Sequence, residues 1–141
     1  MEYHFKVHKE KKGYWAECIE LSGCITQADT KEQLIKNCAE ALNVFLNEST
    51  DSKHIFHLPK KNVQDKELLK VAVDPKIAFA QLLRMARHKR GLSQKQATTM
   101  IGLKNIYSYQ RLESSKGANP ALITISKIKR VFPEFPLDLV V

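Results

Sequence analysis

The sequence contains few residues that cross-link or interrupt a fold: 141 residues include three cysteines, five glycines and five prolines. Cys18, Cys24 and Cys38 are odd in number and lack the spacing of a disulfide framework or a paired zinc site. We therefore expect them to be small core residues in a reducing compartment, not metal ligands or nucleophiles.

Long apolar runs are also missing, and no segment approaches the roughly 20 apolar residues that cross a bilayer. The opening MEYHFKVHKEKK lacks the apolar centre of a signal peptide, so a cytoplasmic protein without a membrane partner is expected. The sequence has no glycine-rich phosphate loop, no nucleophile elbow and no Cys-x-x-Cys pair.

The charge is divided unequally along the chain. Residues 75–141 contain 12 Lys and Arg against 3 Asp and Glu, a net charge of +9. Residues 1–74 contain 11 against 12, a net charge of −1. This division predicts two domains, 1–74 and 75–141, of which the second meets nucleic acid.

The first half has the pattern of a small α+β domain, β-β-β-α-β with one or two strands after the helix. Thr30 is predicted to cap the helix, with Gln33 in the capping-box position. An apolar stripe then runs to about Asn47. The stripe consists of Leu34, Cys38, Leu42 and Phe45, flanked by Ile35, Ala41 and Leu46. Strands are predicted at Tyr3–His8, Tyr14–Ile19, Cys24–Thr26, Ile55–Leu58 and Leu68–Val73.

Two sets of residues in this half could suggest catalysis or metal binding. Four carboxylates could bind a divalent metal, although solvated strand and helix faces explain them better. They are Glu17, Glu20, Asp29 and Glu40. His54 and His57 are three residues apart, which does not give one clean face on a strand or helix. We expect no metal, no cofactor and no catalytic residue.

The second half has the pattern of four amphipathic helices. Gly91 should end the first, with Arg84 and Arg87 facing outward, and Ser93 should cap the second at Gln94. Helices are predicted at Lys76–Lys89, Gln94–Ile101 and Asn105–Glu113, with a fourth opening at Asn119-Pro120 and burying Leu122, Ile125, Ile128 and Phe132.

The second and third of these helices have the order of a helix-turn-helix, with Gly102-Leu103 at the turn. The major groove accepts a helix that presents polar hydrogen-bonding side chains at its N-terminal end. The candidate DNA contacts are Gln94, Lys104, Asn105, Tyr107, Ser108, Gln110 and Arg111. The alternative is four amphipathic helices with no nucleic-acid role.

The run LRMARHKRGLSQ (83–94), with Gly102 and YQRLE (109–113), resembles the Cro/C1-type (XRE-like) helix-turn-helix repressors. The stretch from Gly102 to Glu113 is one residue longer than usual in that family, and Thr98 replaces its small alanine. The base-facing register of the third helix is therefore open by one position.

A second resemblance covers Gly13–Leu46, GYWAECIELSGCITQADTKEQLIKNCAEALNVFL, which is similar to the HicB antitoxins. The shared pattern is an aromatic strand, a glycine turn and a helix after the pair Asp29-Thr30. It implies a degenerate ribonuclease-H-like domain joined to a DNA-binding domain. The implied partners are operator DNA and HicA, a small basic ribonuclease toxin.

These resemblances imply a non-enzymatic antitoxin that represses its own operon as a homodimer or dimer of dimers. A basic toxin is attracted to carboxylates, so Glu17 and Glu20 are expected toxin contacts. The neighbouring aromatic residues Tyr14 and Trp15 are expected to contact the toxin as well. The alternatives are a repressor whose first domain senses a small ligand, and a ribonuclease-H-like nuclease. The terminal PLDLVV (136–141) could pair across a two-fold axis as a strand or dock on its own domain.

Overall fold

The computed structural model describes all 141 residues as a mixed α+β protein. The chain separates into two compact units. The first unit comprises Met1–Leu46 and Phe56–Asp74, and the second comprises Asn47–Ile55 and Pro75–Val141. The chain changes unit between Asp74 and Pro75, and Asn47–Ile55, which the sequence assigned to the first domain, groups with the helical unit. The side chains of Gln81, Arg84 and Arg87 donate hydrogen bonds to carbonyl groups of this segment. We call this segment the strap.

The first unit is a four-stranded antiparallel sheet with one helix on it. Its elements are β1 (Glu2–Lys9), β2 (Tyr14–Cys18), β3 (Ile25–Ala28), α1 (Lys31–Leu46) and β4 (Leu69–Ala72). The strand order is β3-β2-β1-β4, so β3 and β4 are the edges. Tyr3 and Phe5 of β1 are fully buried, as are Leu34, Cys38 and Leu42 of α1. The predicted apolar stripe of the helix therefore covers one face of the sheet.

The turn between β1 and β2 depends on Gly13. Its φ of 90° lies in the left-handed region, which side chains disfavour. A Cβ at this position would lie 2.6 Å from the carbonyl oxygen of Ala28. The hairpin turn therefore packs directly on the end of β3, where the chain approaches the first turn of α1.

Several predicted details of the first unit are wrong or incomplete. Ile55–Leu58 forms no strand. Phe56 is buried because its ring packs on Phe45, with 6.0 Å between centroids. Ile35 is 47% exposed instead of buried. The Thr30 hydroxyl accepts the Gln33 amide at 3.2 Å, but the Gln33 side chain donates to Asn37 and so leaves the capping box half formed.

The second unit contains four α-helices and the strap. The helices are α2 (Pro75–Lys89), α3 (Gln94–Ile101), α4 (Ile106–Leu112) and α5 (Leu122–Val131). Leu137–Leu139 forms a 3-10 turn, not a strand. Phe79 and Phe135 pack edge to face with 5.4 Å between ring centroids, which attaches the terminal segment to α2 within this unit.

The start of α5 differs from the prediction. Ala121 is the N-cap and makes no side-chain cap, so Asn119 and Pro120 precede the helix. With the start displaced, Leu122 is 85% exposed. Ile128 and Phe132 are buried as expected, and Ile125 is partly buried.

Candidate nucleic-acid interface

Local signals fix both ends of α3. Before it, Gly91 adopts a φ of 65°, and the Leu92 amide donates to the Arg87 carbonyl at 3.1 Å, which closes α2 in a Schellman-type turn. Ser93 then forms a complete capping box with Gln96, in which each side chain accepts the other residue's backbone amide. The helix therefore begins at Gln94, as the sequence predicts.

Contacts within a few residues also define the turn between α3 and α4. Gly102 adopts a φ of 78°, and the amide of Leu103 donates to the carbonyl of Thr98 at 3.0 Å. Asn105 caps α4, because its side-chain oxygen accepts the Ser108 amide at 3.0 Å. Asn105 thus has a structural task in addition to its predicted contact with DNA.

A buried ion pair joins α2 to the end of α4. Arg87 donates from Nε to Oε1 of Glu113 at 2.6 Å and from Nη2 to Oε2 at 3.0 Å. Both side chains are almost completely buried. Burial opposes the charged form of Arg87, but the hydrogen bonds that Arg87 donates to the Glu113 carboxylate outweigh it and raise the guanidinium pKa. The prediction that Arg84 and Arg87 face outward is wrong, because both have buried polar partners.

The same carboxylate holds two further side chains. The Tyr109 hydroxyl donates to Oε1 of Glu113 at 2.6 Å, and burial raises the pKa of this phenol. Gln94 donates from Nε2 to Oε2 at 3.0 Å. Glu113 therefore connects the core of α4 with the first residue of α3.

The position of Gln94 extends this connection to the surface. Oε1 of Gln94 accepts a hydrogen bond from Nε2 of Gln110 at 3.4 Å. Because Gln94 gives its amide to Glu113, only its oxygen is directed at Gln110. This orients the Gln110 amide, which is exposed on α4.

The predicted DNA contacts differ in accessibility. Tyr107 is 73% exposed, and Ser108 and Gln94 are partly buried. Lys104, Asn105, Gln110 and Arg111 are exposed. None of these seven side chains is in the core, and all lie on α3, α4 or the turn between them.

Beside α4 lies an open cleft of about 470 Å³ that sequence reasoning did not identify. Its cationic residues are Lys104, Arg111 and Lys127, and Ser108 and Thr124 add hydroxyl groups. Lys127 comes from α5, which the sequence interpretation treated only as a supporting helix. Its charge was visible in the sequence, but its proximity to Arg111 depends on how α5 packs.

The expected toxin contacts do not form one patch. Tyr14 and Trp15 are neighbours on β2, so they point to opposite faces of the sheet. Trp15 stacks on His8 with 4.0 Å between ring centroids, and Glu17 accepts from Nε2 of the same imidazole at 3.1 Å. Trp15 and Glu17 therefore share the face opposite α1, whereas Tyr14 lies on the face of α1.

Glu20 is not a surface carboxylate, contrary to its selection as a toxin contact. Its side chain is 1% exposed and contacts Nδ1 of His4. It also accepts the backbone amides of His4 at 3.0 Å and Lys60 at 3.2 Å. Burial raises the pKa of this carboxyl, but the hydrogen bonds from His4 and Lys60 outweigh it and hold the pKa below its ordinary value.

The three cysteines of the first unit lie in its interior. All three cysteines are buried, as predicted, and burial raises the thiol pKa of Cys18 to about 12 and those of Cys24 and Cys38 to about 11. No group of three or more His, Cys, Asp or Glu residues has the geometry to hold a metal ion. No helix is both long and apolar enough to span a membrane.

Comparison with known proteins finds no family model and no curated protein that matches this chain.

Proposed function

We propose that the protein is the antitoxin of a type II toxin–antitoxin pair. In this proposal it neutralises a HicA-like mRNA-cleaving toxin and represses its own operon by binding operator DNA. The two tasks belong to different units: the first binds the toxin and the second binds DNA. The protein performs neither task by catalysis.

The contact between Gln94 and Gln110 carries the DNA-binding part of the proposal. A glutamine that reads adenine needs its oxygen and its amide group correctly directed at the base edge. Here Gln110 is exposed, while Gln94 behind it is held by buried Glu113. Such support reduces the freedom that a reading side chain loses on binding.

The surrounding elements support a helix-turn-helix. In this assignment α3 and α4 are its two helices, Gly102 is in the turn and α4 is the recognition helix. Lys104, Arg111 and Lys127 would bind backbone phosphates. The second unit has 13 Lys and Arg against 5 Asp and Glu, which favours a polyanionic partner.

The toxin-binding part rests on the resemblance of Gly13–Leu46 and on one surface. The first unit has the β-β-β-α-β element order that the ribonuclease-H-like resemblance implies. Trp15 and Ile25 are apolar on the sheet face opposite α1, where Glu17 adds a carboxylate. A basic toxin would place a cation on Glu17 and apolar atoms on Trp15.

Variants that lose DNA binding but keep toxin neutralisation, and the reverse, test the proposal. Gln110→Ala should weaken binding to DNA from upstream of the reading frame by about 1–3 kcal/mol. Arg111→Ala should reduce the salt dependence of that binding by about one phosphate contact. Gln64→Ala, an exposed glutamine of the first unit, is the matched control and should change neither.

In this proposal a neighbouring reading frame encodes the basic toxin, and protection of cells from that toxin is the second measurement. Trp15→Ala with Glu17→Gln should lose protection of cells and keep DNA binding. Gln110→Ala should keep protection. Protection that survives the first pair, or DNA binding that survives alanine at both Gln110 and Arg111, would contradict the corresponding half of the proposal.

A further inference from the structure

A cleft in the first unit arises where β4 stops short of the end of β1. The two strands pair from Glu2 to Phe5 of β1 only, whereas β1 continues to Lys9. Beyond Phe5 this side of β1 has no neighbouring strand. An opening of about 670 Å³ lies there, between β1, the first turns of α1 and the chain that leads into β4. We call it the Lys9 cleft.

The inner wall of the Lys9 cleft is apolar. Leu34 of α1 is fully buried, and Val7 and Leu69 are partly buried beside it. Ile35 also lines the cleft and is 47% exposed. The volume falls in the usual range of about 300–1,000 Å³ for small-molecule sites, so an apolar body of modest size fits.

The rim of the cleft is cationic. Lys9, Lys31 and Lys66 line it, and Glu67 is the only carboxylate among the lining residues. None of the three ammonium groups forms an ion pair. Lys31 also begins α1, so the positive end of a 16-residue helix adds to the potential. This concentration of charge occurs in a unit whose 10 Lys and Arg equal its 10 Asp and Glu.

Tyr14 completes the polar side. It pairs with Lys9 across β1 and β2, so both side chains lie on the α1 face of the sheet. Its hydroxyl has no hydrogen-bond partner within the protein. A phenol beside ammonium groups can donate to an anion that those groups attract.

We propose that the Lys9 cleft binds a small amphipathic anion, an apolar chain or ring with one carboxylate or sulfonate. The apolar body covers Val7, Leu34 and Ile35, and the anionic group lies among Lys9, Lys31 and Lys66. A polyanion such as nucleic acid leaves the apolar wall uncovered, and an uncharged hydrocarbon leaves the ammonium groups unused. The cleft lies on the α1 face of the sheet, whereas Trp15 and Glu17, which carry the proposed toxin surface, lie on the opposite face.

The test uses 8-anilinonaphthalene-1-sulfonate as the fluorescent probe and the full chain. N-phenyl-1-naphthylamine, which lacks the sulfonate, is the uncharged comparison. We expect saturable binding of the sulfonate, displacement by decanoate and no displacement by decanol. Equal affinity for the charged and uncharged probes would overturn the proposal.

Variants locate the site. Each of Lys9→Gln, Lys31→Gln and Lys66→Gln should weaken sulfonate binding about two- to fivefold, the range of a partly solvated ionic contact. Ile35→Trp should weaken binding, because the larger side chain occupies part of the cleft. Lys36→Gln is the matched control on α1 outside the cleft and should bind normally.

Folding is monitored by circular dichroism, and Lys31→Arg provides a second check because it keeps the charge. Normal binding by Lys31→Arg with weakened binding by Lys31→Gln supports an ionic role. Unchanged affinity in the combined triple Lys→Gln variant, or in Ile35→Trp, would place the probe elsewhere and overturn the assignment.

Discussion

Arg87 and Glu113 are 26 positions apart in the sequence and form two hydrogen bonds in the core of the second unit. Arg87 also donates to the carbonyl of Leu92 at 3.0 Å and to that of Thr50 at 2.9 Å. One guanidinium thus connects the strap, the turn before α3 and the end of α4. The arrangement connects both α3 and α4 to α2 through one buried charge pair.

Removing the carboxylate should therefore be costly. Glu113→Gln leaves the Arg87 charge buried without a counter-ion, and we expect a loss of about 3–5 kcal/mol in the free energy of unfolding. The matched change is Glu134→Gln in the exposed pair with Arg90, which should cost less than about 1 kcal/mol. Urea unfolding of both variants measures the difference, and equal losses would show that burial does not govern these pairs.

Asn105 offers a way to separate capping from reading. Asn105→Ala removes the cap of α4 and should lower stability by about 1 kcal/mol as well as DNA affinity. Asn105→Asp keeps a capping oxygen but cannot donate to a base. If Asn105 reads DNA, the aspartate variant keeps normal stability and still binds weakly. Normal DNA binding by the aspartate variant would restrict Asn105 to its structural role.

The strap should be part of the folding unit of the helices. Gln81 donates to the carbonyl of Glu48, Arg84 to those of Ser52 and His54, and Arg87 to that of Thr50. Hydrogen bonds to charged groups contribute about 1.5–3 kcal/mol each. A fragment 47–141 should therefore be more stable than 75–141, whose arginines lose these partners. Calorimetry compares them, and equal midpoints would show that the strap adds no stability.

Acid should weaken the first unit through Glu20. The folded protein holds the pKa of this carboxyl below its ordinary value of 4.5. Its stabilising contribution is therefore complete above about pH 4.5 and is lost as the pH falls through the lower, folded value. Between pH 7 and pH 3, Glu20→Gln should show a smaller loss of stability than the unmodified chain. Glu40→Gln, at an exposed carboxylate of α1 without an ion pair, is the control variant; matching slopes for all three would contradict this role.

Local signals explain which parts of the fold the sequence predicted well. Ser93 and Gly102 bound α3 through contacts within a few residues, so its limits Gln94–Ile101 could be predicted from the sequence. The burial of Arg84, Arg87 and Glu20 could not, because it depends on partners that include groups 16 to 40 positions away. A pattern of alternating apolar and charged residues predicts that the charged side chains are exposed, unless a buried partner of opposite charge or polarity is already known.

In the candidate site, too, local features could be predicted from the sequence and contacts between distant segments could not. Placement of the predicted residues on α3, α4 and their turn followed from helix periodicity and capping. Contributions across elements, such as Lys127 beside Arg111, depend on interhelical packing. Tyr14 and Trp15 show a further limit: the alternating pleat separates neighbours, so proximity in sequence is a poor guide to a common surface.

The strap also affects the order in which the chain can fold during synthesis. It leaves the ribosome before β4 and before every helix of its own unit, so the first unit can complete its sheet while the strap carbonyls still bind only water. Complete pairing of the strap must wait until α2 has emerged as far as Arg87. A nascent chain that has emerged from the ribosome only as far as Asp74 would therefore carry a finished sheet and an unattached strap open to proteases.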